Sequence, residues 1–366
     1  MNKKIIFYID SMYRGGANRV IANLVDFFAK ESYDVVLVND IIGDKENEYP
    51  VNEKAKRIIL LNKTEKKHIF LFDTINRIKK LRLLIKEENP VAVVSFMGPP
   101  NYRMLFACIG IKTRKIVSVR NDPYIEYGRG IRRLFTNIVF KLANGVVFQT
   151  EQASSYFFKN IKNKSCIIFN PINEVFYNQT LRPEEPNIVF LGRLQEQKNP
   201  EMLLDSFLLI KDRFPEHRLL YYGEGELLSK LKTKVDKNMI NDRVFFKGLT
   251  NNVPEILSSA CCFVLCSNYE GMPNALMEAM AIGVPVISTD CPCGGPKALI
   301  ENEEQGLLIR VQDSAMLSIA LEKIISSKIT RDKMRKAAKE RSKLFQPAVI
   351  YKQWESFILY AENKRL

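Results

Sequence analysis

Two acidic residues, Glu270 and Glu278, stand in the run Tyr269-Glu270-Gly271-Met272-Pro273-Asn274-Ala275-Leu276-Met277-Glu278-Ala279-Met280. Pro273 suits a first helical turn, where its missing N–H costs nothing, and Gly283 suits a helix end. The spacing therefore predicts a helix from about Pro273 to about Ile282, with one carboxylate just ahead of it and the other inside it. Carboxylates so placed can address one ligand. Gly271 lets backbone approach that ligand closely, and the positive end of the helix faces whatever sits beside Glu270. A diphosphate suits that place. The same residues would also form an ordinary loop-to-helix junction, with Glu270 solvated and Glu278 paired along the helix.

Arg193 and Lys198 lie five residues apart on a loop between a strand-like run and a helix. A planar guanidinium fork and a point-charge ammonium could converge on one diphosphate and neutralise it as it leaves. Two exposed cations are the plainer alternative. Near the start of the chain, Arg14-Gly15-Gly16 follows the first strand-like run, where paired glycines let main-chain N–H groups reach a phosphate or a sugar ring. It lacks the full dinucleotide fingerprint and the P-loop lysine and hydroxyl, which tells against nicotinamide and ATP. Alone it is also a plain strand-to-helix turn.

The flanks add weight. Cys262-Phe263-Val264-Leu265-Cys266-Ser267 precedes the Glu270 run and Gly283-Val284-Pro285-Val286-Ile287-Ser288-Thr289 follows it. Together they resemble the donor-site signature of retaining glycosyltransferases of family four. The resemblance continues in Phe190-Leu191-Gly192-Arg193-Leu194-Gln195-Glu196-Gln197-Lys198-Asn199-Pro200 and in Arg14-Gly15-Gly16-Ala17-Asn18-Arg19-Val20, in the family's order. It is densest from about Asn187 to Asp313 and thin between about Asp40 and Pro90. It implies the GT-B fold, two doubly wound Rossmann-like α/β domains facing across a cleft, and transfer of a hexose or N-acetylhexosamine from a nucleotide sugar, UDP foremost. It implies a lipid-linked or growing glycan as acceptor, and neither cofactor nor metal.

Residue by residue, the resemblance gives Glu278 both ribose hydroxyls and Glu270 the hydroxyls of the donor sugar. Gly271, Met272, Pro273 and Asn274 then surround sugar and phosphate, Arg193 and Lys198 hold the diphosphate, and Gly16 touches the donor. Gly223, Phe246 and Lys247 fall where the family lines its base pocket with main-chain groups. One departure stands out. Many members carry a histidine beside the donor sugar in the first domain, whereas the only histidines here are His68 and His217, neither at a matching place. The corresponding turn is Ser118-Val119-Arg120-Asn121-Asp122-Pro123, so Arg120 or Asn121 would hold the sugar, and Asp122 could equally cap a turn.

The elements that must position these residues alternate throughout, strand-like then helical, which predicts parallel βαβ units. At 366 residues the chain has room for two domains with a core each. The expected division is 1–172, a polar linker over 173–186, 187–345, and a last helix within 346–366 that, by the resemblance, returns to the first domain. No apolar run reaches the ~20 residues that cross a bilayer, and Met1-Asn2-Lys3-Lys4 leads straight into a strand, so a cytosolic protein is expected. Seven cysteines without zinc spacing read as reduced thiols.

The net charge of +14 is uneven: residues 1–172 hold 29 Lys and Arg against 16 Asp and Glu, the remainder 26 against 25. A basic first domain suits an anionic partner, whether a membrane surface, a lipid-linked diphosphate or nucleic acid, and reads equally as a solvated basic surface; the expected location is the inner face of the cytoplasmic membrane. The helix expected over Asp73 to Glu88, with Phe70, Leu71 and Phe72 before it and Lys66, Lys67, Arg77, Lys79, Lys80, Arg82 and Lys86 around it, reads either as a membrane-surface helix or as a core-facing helix with a basic outer side. Two rivals remain open, a GT-B sugar-nucleotide 2-epimerase and a basic membrane- or nucleic-acid-binding protein on an inactive scaffold. Nucleic acid is not expected, since the basic stretches lack the aromatic interleaving of RNA-binding modules.

Overall fold

A computed structural model describes residues 3–61 and 70–360. The chain divides into two compact units, Met1–Pro171 with Ala348–Leu366, and Ile172–Pro347. Lys66, Lys67 and His68 lie outside the described residues.

The first unit is built on seven parallel strands, β1 (Lys4–Ile9), β2 (Asp34–Asn39), β3 (Lys56–Ile59), β4 (Ala92–Phe96), β5 (Arg114–Ser118), β6 (Gly145–Phe148) and β7 (Ser165–Ile167), in the order β3-β2-β1-β4-β5-β6-β7. The second has six, β8 (Glu185–Leu191), β9 (Arg218–Tyr222), β10 (Val244–Phe246), β11 (Ala260–Leu265), β12 (Val286–Thr289) and β13 (Leu307–Ile309), in the order β10-β9-β8-β11-β12-β13. Both orders run outward from the first strand in both directions, the doubly wound arrangement. Helices cover both faces, so the central strands are buried throughout rather than on alternate residues, as in β4 (Ala92–Phe96) and β11.

The Pro347–Tyr360 helix belongs to the first unit from Ala348 onward. Its Ile350, Trp354 and Ile358 are buried in the same core as Phe7, Phe28 and Phe96, and Trp354, the only tryptophan, stacks on Phe96 at 5.5 Å. The stretch 173–186, read from its polarity as a linker, is anchored in the second unit. Asn173 caps a Glu174–Asn178 helix, Phe176 is buried, the Tyr177 hydroxyl donates to Ser342 O at 2.8 Å, and Glu184 pairs with Arg331 at 2.8 Å.

The Phe70–Glu88 helix faces the core. Leu81 and Ile85 are fully buried, Lys80 donates to Leu60 O at 2.9 Å, and Arg82 donates to Ala107 O at 2.8 Å and to Ile109 O at 2.6 Å. Two of its cations thus satisfy main-chain carbonyls of neighbouring segments.

Candidate functional site

In the second unit β8 is central, with β9 on one side and β11 on the other, so the chain reverses its winding between β8 and β11. Loops at the carboxyl ends of these two strands flank the crevice where such sheets take ligands. They are stitched together. Asn268 donates its main-chain N–H to Gln197 O and its side-chain amide to Glu196 O, both at 2.8 Å, while the Gln197 amide donates to Tyr269 O at 3.2 Å.

This stitching brings Lys198 onto Glu270. The two form an ion pair through Oε1, an oxygen that also accepts the Ser267 hydroxyl at 2.8 Å. Ser267 is set in turn by Thr289, whose hydroxyl donates to Ser267 O at 2.6 Å. The Glu270 backbone is fixed as well: its N–H donates to Pro292 O at 2.6 Å and its carbonyl accepts from Cys293 N at 2.9 Å. A carboxylate only 7% exposed needs such company, because burying an uncompensated charge is costly. Arg193 is exposed and donates to Gln197 Oε1 at 3.1 Å. The two cations expected to converge therefore have different partners here, Lys198 a carboxylate and Arg193 an amide.

The next helix spans Asn274–Ile282 and ends on Gly283 in the left-handed region. No side chain caps its start, so its dipole end is suited to an anion. Glu278 sits one turn beyond Asn274 and is 4% exposed. Gly271 is held where a Cβ on Gly295 would come within 1.9 Å of its carbonyl oxygen; only glycine at 295 permits that approach.

The base-pocket candidates sit at the ends of β9 and β10. Gly223, at φ +140°, packs so closely that a Cβ would meet Gly192 O at 1.9 Å, and its N–H donates to Gly248 O at 2.8 Å. Phe246 stacks on Tyr221 at 5.3 Å, Lys247 N–H donates to Tyr221 O at 2.8 Å, and the Lys247 ammonium lies 5.0 Å from the Phe245 ring centre. The N–H groups of Gly223 and Lys247 are thus already engaged, leaving other main-chain groups to read a base edge.

In the first unit Gly16 opens the Gly16–Lys30 helix, and the preceding loop is tied by Asn18, whose amide donates to Ser11 O at 2.8 Å. Arg120 is buried, its guanidinium 4.7 Å from the Phe96 ring centre and 5.6 Å from that of Trp354, and none of its three guanidinium nitrogens has a hydrogen-bond partner. Burial lowers its pKa to about 9. Asn121 accepts from Asp122 N at 2.9 Å, and Asp122 caps the turn by accepting from Tyr124 N at 2.8 Å.

Sequence reasoning missed a second polar cluster in this unit. Asp40 accepts the Tyr8 hydroxyl at 2.7 Å and pairs with Arg103 at 2.8 Å, and Arg103 also pairs with Asp10. Burial, with Asp10 beside it, pushes the Asp40 carboxyl up to about 7. A cavity of about 520 Å³ opens over the cluster, lined also by Thr74, Arg77, Tyr102 and Phe106. The one hint in the sequence was that Asp10 and Asp40 each directly follow a strand. Ser267, Gln197, Thr289 and Gly295 were missed too, although the first three fall inside quoted motifs.

Glu126 gives this unit a pH signature. Its Oε1 accepts Gly98 N–H at 2.7 Å, yet burial pushes the carboxyl from 4.5 up to about 7. A carboxyl with a raised folded-state pKa imposes no penalty below the unfolded value and a growing one as pH climbs through the folded value. The melting temperature should accordingly fall between about pH 4.5 and about 7, with Asp40 adding the same sign. Calorimetry at fixed ionic strength should show a shallower fall for Glu126→Gln; an unchanged slope would remove Glu126 as a source.

Residues 172–341 match the family model described as "Glycosyl transferases group 1". Over 373 residues the chain is 27% identical to the GalNAc-alpha-(1->4)-GalNAc-alpha-(1->3)-diNAcBac-PP-undecaprenol alpha-1,4-N-acetyl-D-galactosaminyltransferase of Campylobacter jejuni, covering 98% of this chain and 99% of that one. It is 25% identical over 364 residues to the amylovoran biosynthesis glycosyltransferase AmsD of Erwinia amylovora, covering 97% and 99%. In fold it is similar to Anabaena Alr3699/HepE, crystallised with UDP and glucose, at a TM-score of 0.81 and 14% identity over 98% of this chain and 100% of that one. With two doubly wound parallel sheets the chain has the GT-B fold, and its second unit carries the group 1 glycosyltransferase module over residues 172–341.

Proposed function

We propose that the protein is a retaining, metal-independent glycosyltransferase that moves a hexose or N-acetylhexosamine from a UDP-sugar onto a polyprenyl-diphosphate-linked or growing glycan. The observation that carries the reading is the Lys198–Glu270 pair at the reversal between β8 and β11, next to a helix start without a side-chain cap and one turn ahead of the buried Glu278. The relatives' named activities, on an undecaprenyl-diphosphate glycan and in amylovoran biosynthesis, support the acceptor class.

In this reading the diphosphate lies at the start of the Asn274–Ile282 helix within reach of Arg193 and Lys198. The bond from the anomeric carbon to the phosphate oxygen breaks as an acceptor hydroxyl adds on the same face, and the departing phosphate takes the hydroxyl proton. Charge grows on the phosphate as that bond breaks, which is where preorganised cations lower the barrier. Glu270 holds the sugar hydroxyls and Glu278 the ribose diol. Among the described residues no helix is long and apolar enough to cross a membrane. We place the enzyme at the inner face of the cytoplasmic membrane, where a lipid-linked acceptor would be met.

The test pairs calorimetry with product analysis. Glu278→Ala should weaken UDP binding roughly ten- to a hundredfold, the worth of about 1.5–3 kcal/mol for a lost charge-assisted hydrogen bond. Transfer from a UDP-sugar should survive EDTA and give a product with the donor's anomeric configuration by NMR. Wild-type UDP affinity in Glu278→Ala would sink the assignment of the nucleoside.

A further inference from the structure

The Ile131–Phe140 helix turns two apolar sides outward from its axis, and only one is covered. Thr136, Val139 and Phe140 enter the core. On the other side Ile131 is 82% exposed, and Leu134, Phe135, Ile138 and Leu142 are between 40% and 52% exposed. These five recur at offsets of three, four, seven and eleven from Ile131, one stripe at ~100° per residue. Arg132 and Lys141, both exposed, fall on opposite margins of that stripe. Beyond it lie Tyr124, Ile125 and Phe158, each 38–53% exposed, with exposed Arg129, Lys159 and Lys162 among them.

We infer that this face docks on an anionic lipid bilayer. Its make-up, a bulky apolar stripe edged by cations, is that of an in-plane interfacial helix, whose apolar side sinks to the headgroup boundary while its cations meet lipid phosphates. The charge around it selects the occupant. Residues 124–164 contain seven Lys and Arg against two Asp and Glu, and one of the two, Glu126, is half-buried with its carboxylate held by the Gly98 N–H at 2.7 Å. A second copy of the chain meeting this face across a two-fold axis would set cations against cations, whereas an anionic membrane complements them. The stripe also continues toward the cavity of this unit: the Phe135 ring lies 5.9 Å from that of Tyr102, which lines the cavity. An acceptor whose lipid tail stays in the bilayer would thus be presented beside that cavity. This deepens the transferase reading with its lipid-linked acceptor, but the surface stands on its own observations.

The experiment sediments the full chain with vesicles of phosphatidylcholine, with and without phosphatidylglycerol, and no donor present, so its result is separate from any transfer assay. The wild type should bind the anionic vesicles and lose binding as salt rises, since surface charges are screened beyond roughly 8 Å at physiological ionic strength. Ile131→Ser with Ile138→Ser should weaken binding at least tenfold, as should Arg132→Ser with Lys141→Ser, with melting temperature unchanged because these side chains are exposed. Leu83→Ser, exposed on the core-facing Phe70–Glu88 helix, should bind as the wild type does. Wild-type binding in the Ile131 and Ile138 double variant would overturn the inference. So would absence of binding to either vesicle, or a wild-type dimer in ultracentrifugation that this double variant dissolves, which would give the face to a second copy.

Discussion

Lys198→Ala should lower turnover about a hundredfold or more with a much smaller change in KM for the nucleotide sugar, the pattern of an interaction strengthened in the transition state. Removing one preorganised charge partner from a site of this kind costs about 2.7–4 kcal/mol of barrier. The variant also leaves Glu270 buried without its cation. Breaking a buried pair from one side costs up to about 3–5 kcal/mol, and the figure here should be lower because the Lys198 side chain is 18% exposed and Ser267 remains bonded to Glu270. The two effects separate in Lys198→Met combined with Glu270→Gln, which should recover melting temperature and remain inactive. Steady-state kinetics on the folded fraction, with calorimetric melts of all three proteins, checks this. Turnover within threefold of wild type in Lys198→Ala would move the diphosphate elsewhere.

Gly223→Ala should be among the most damaging single-methyl additions in the chain. The new Cβ would stand 1.9 Å from Gly192 O, where backbone rather than a flexible side chain must yield, at a φ of +140° that L residues rarely adopt. A combined cost of about 3 kcal/mol or more would lower the melting temperature of the second unit by roughly 6–12 °C. UDP binding should weaken with it, because the displaced segment runs directly into Arg193 and Lys198. Gly110→Ala supplies the contrast, since Gly110 also has a positive φ, +73°, but has no atom within 4 Å of an added Cβ. Its cost should stay near 1 kcal/mol. Equal melting temperatures for the two variants would refute the role given to the contact between Gly192 and Gly223.

The fold was legible because fully buried parallel strands leave continuous apolar runs, such as Val35-Val36-Leu37-Val38 and Cys262-Phe263-Val264-Leu265, spaced by helices of amphipathic period. Individual site loops were legible as motifs. Their mutual geometry was not: Lys198 and Glu270 are 72 residues apart, and only the parallel sheet, by setting β8 against β11, joins them. Polarity misled at 173–186, where Asn173 is a helix cap and Phe176 a buried anchor rather than parts of a loose connector. Period alone also cannot tell which side of a helix the core takes. Both Phe70–Glu88 and Ile131–Phe140 mix apolar residues with cations, and only packing reveals that the first turns its apolar side inward while the second leaves a stripe outside. The Asp10, Asp40 and Arg103 cluster drew on two strand ends and a helix, with no local pattern to announce it.

The first unit is split in sequence, with Pro347–Tyr360 contributing Ile350, Trp354 and Ile358 to a core begun at Ile5. On the ribosome this separates the halves in time. After Pro171 is made, Ile172–Pro347 must be synthesised before Trp354 exists, roughly 10–35 s at ~5–20 residues per second. Throughout that interval Phe96 and its neighbours lack the indole that covers them in the finished chain. The unit made first is therefore the one completed last, and a chain stalled before Ala348 would be released with a finished second unit and an open first core.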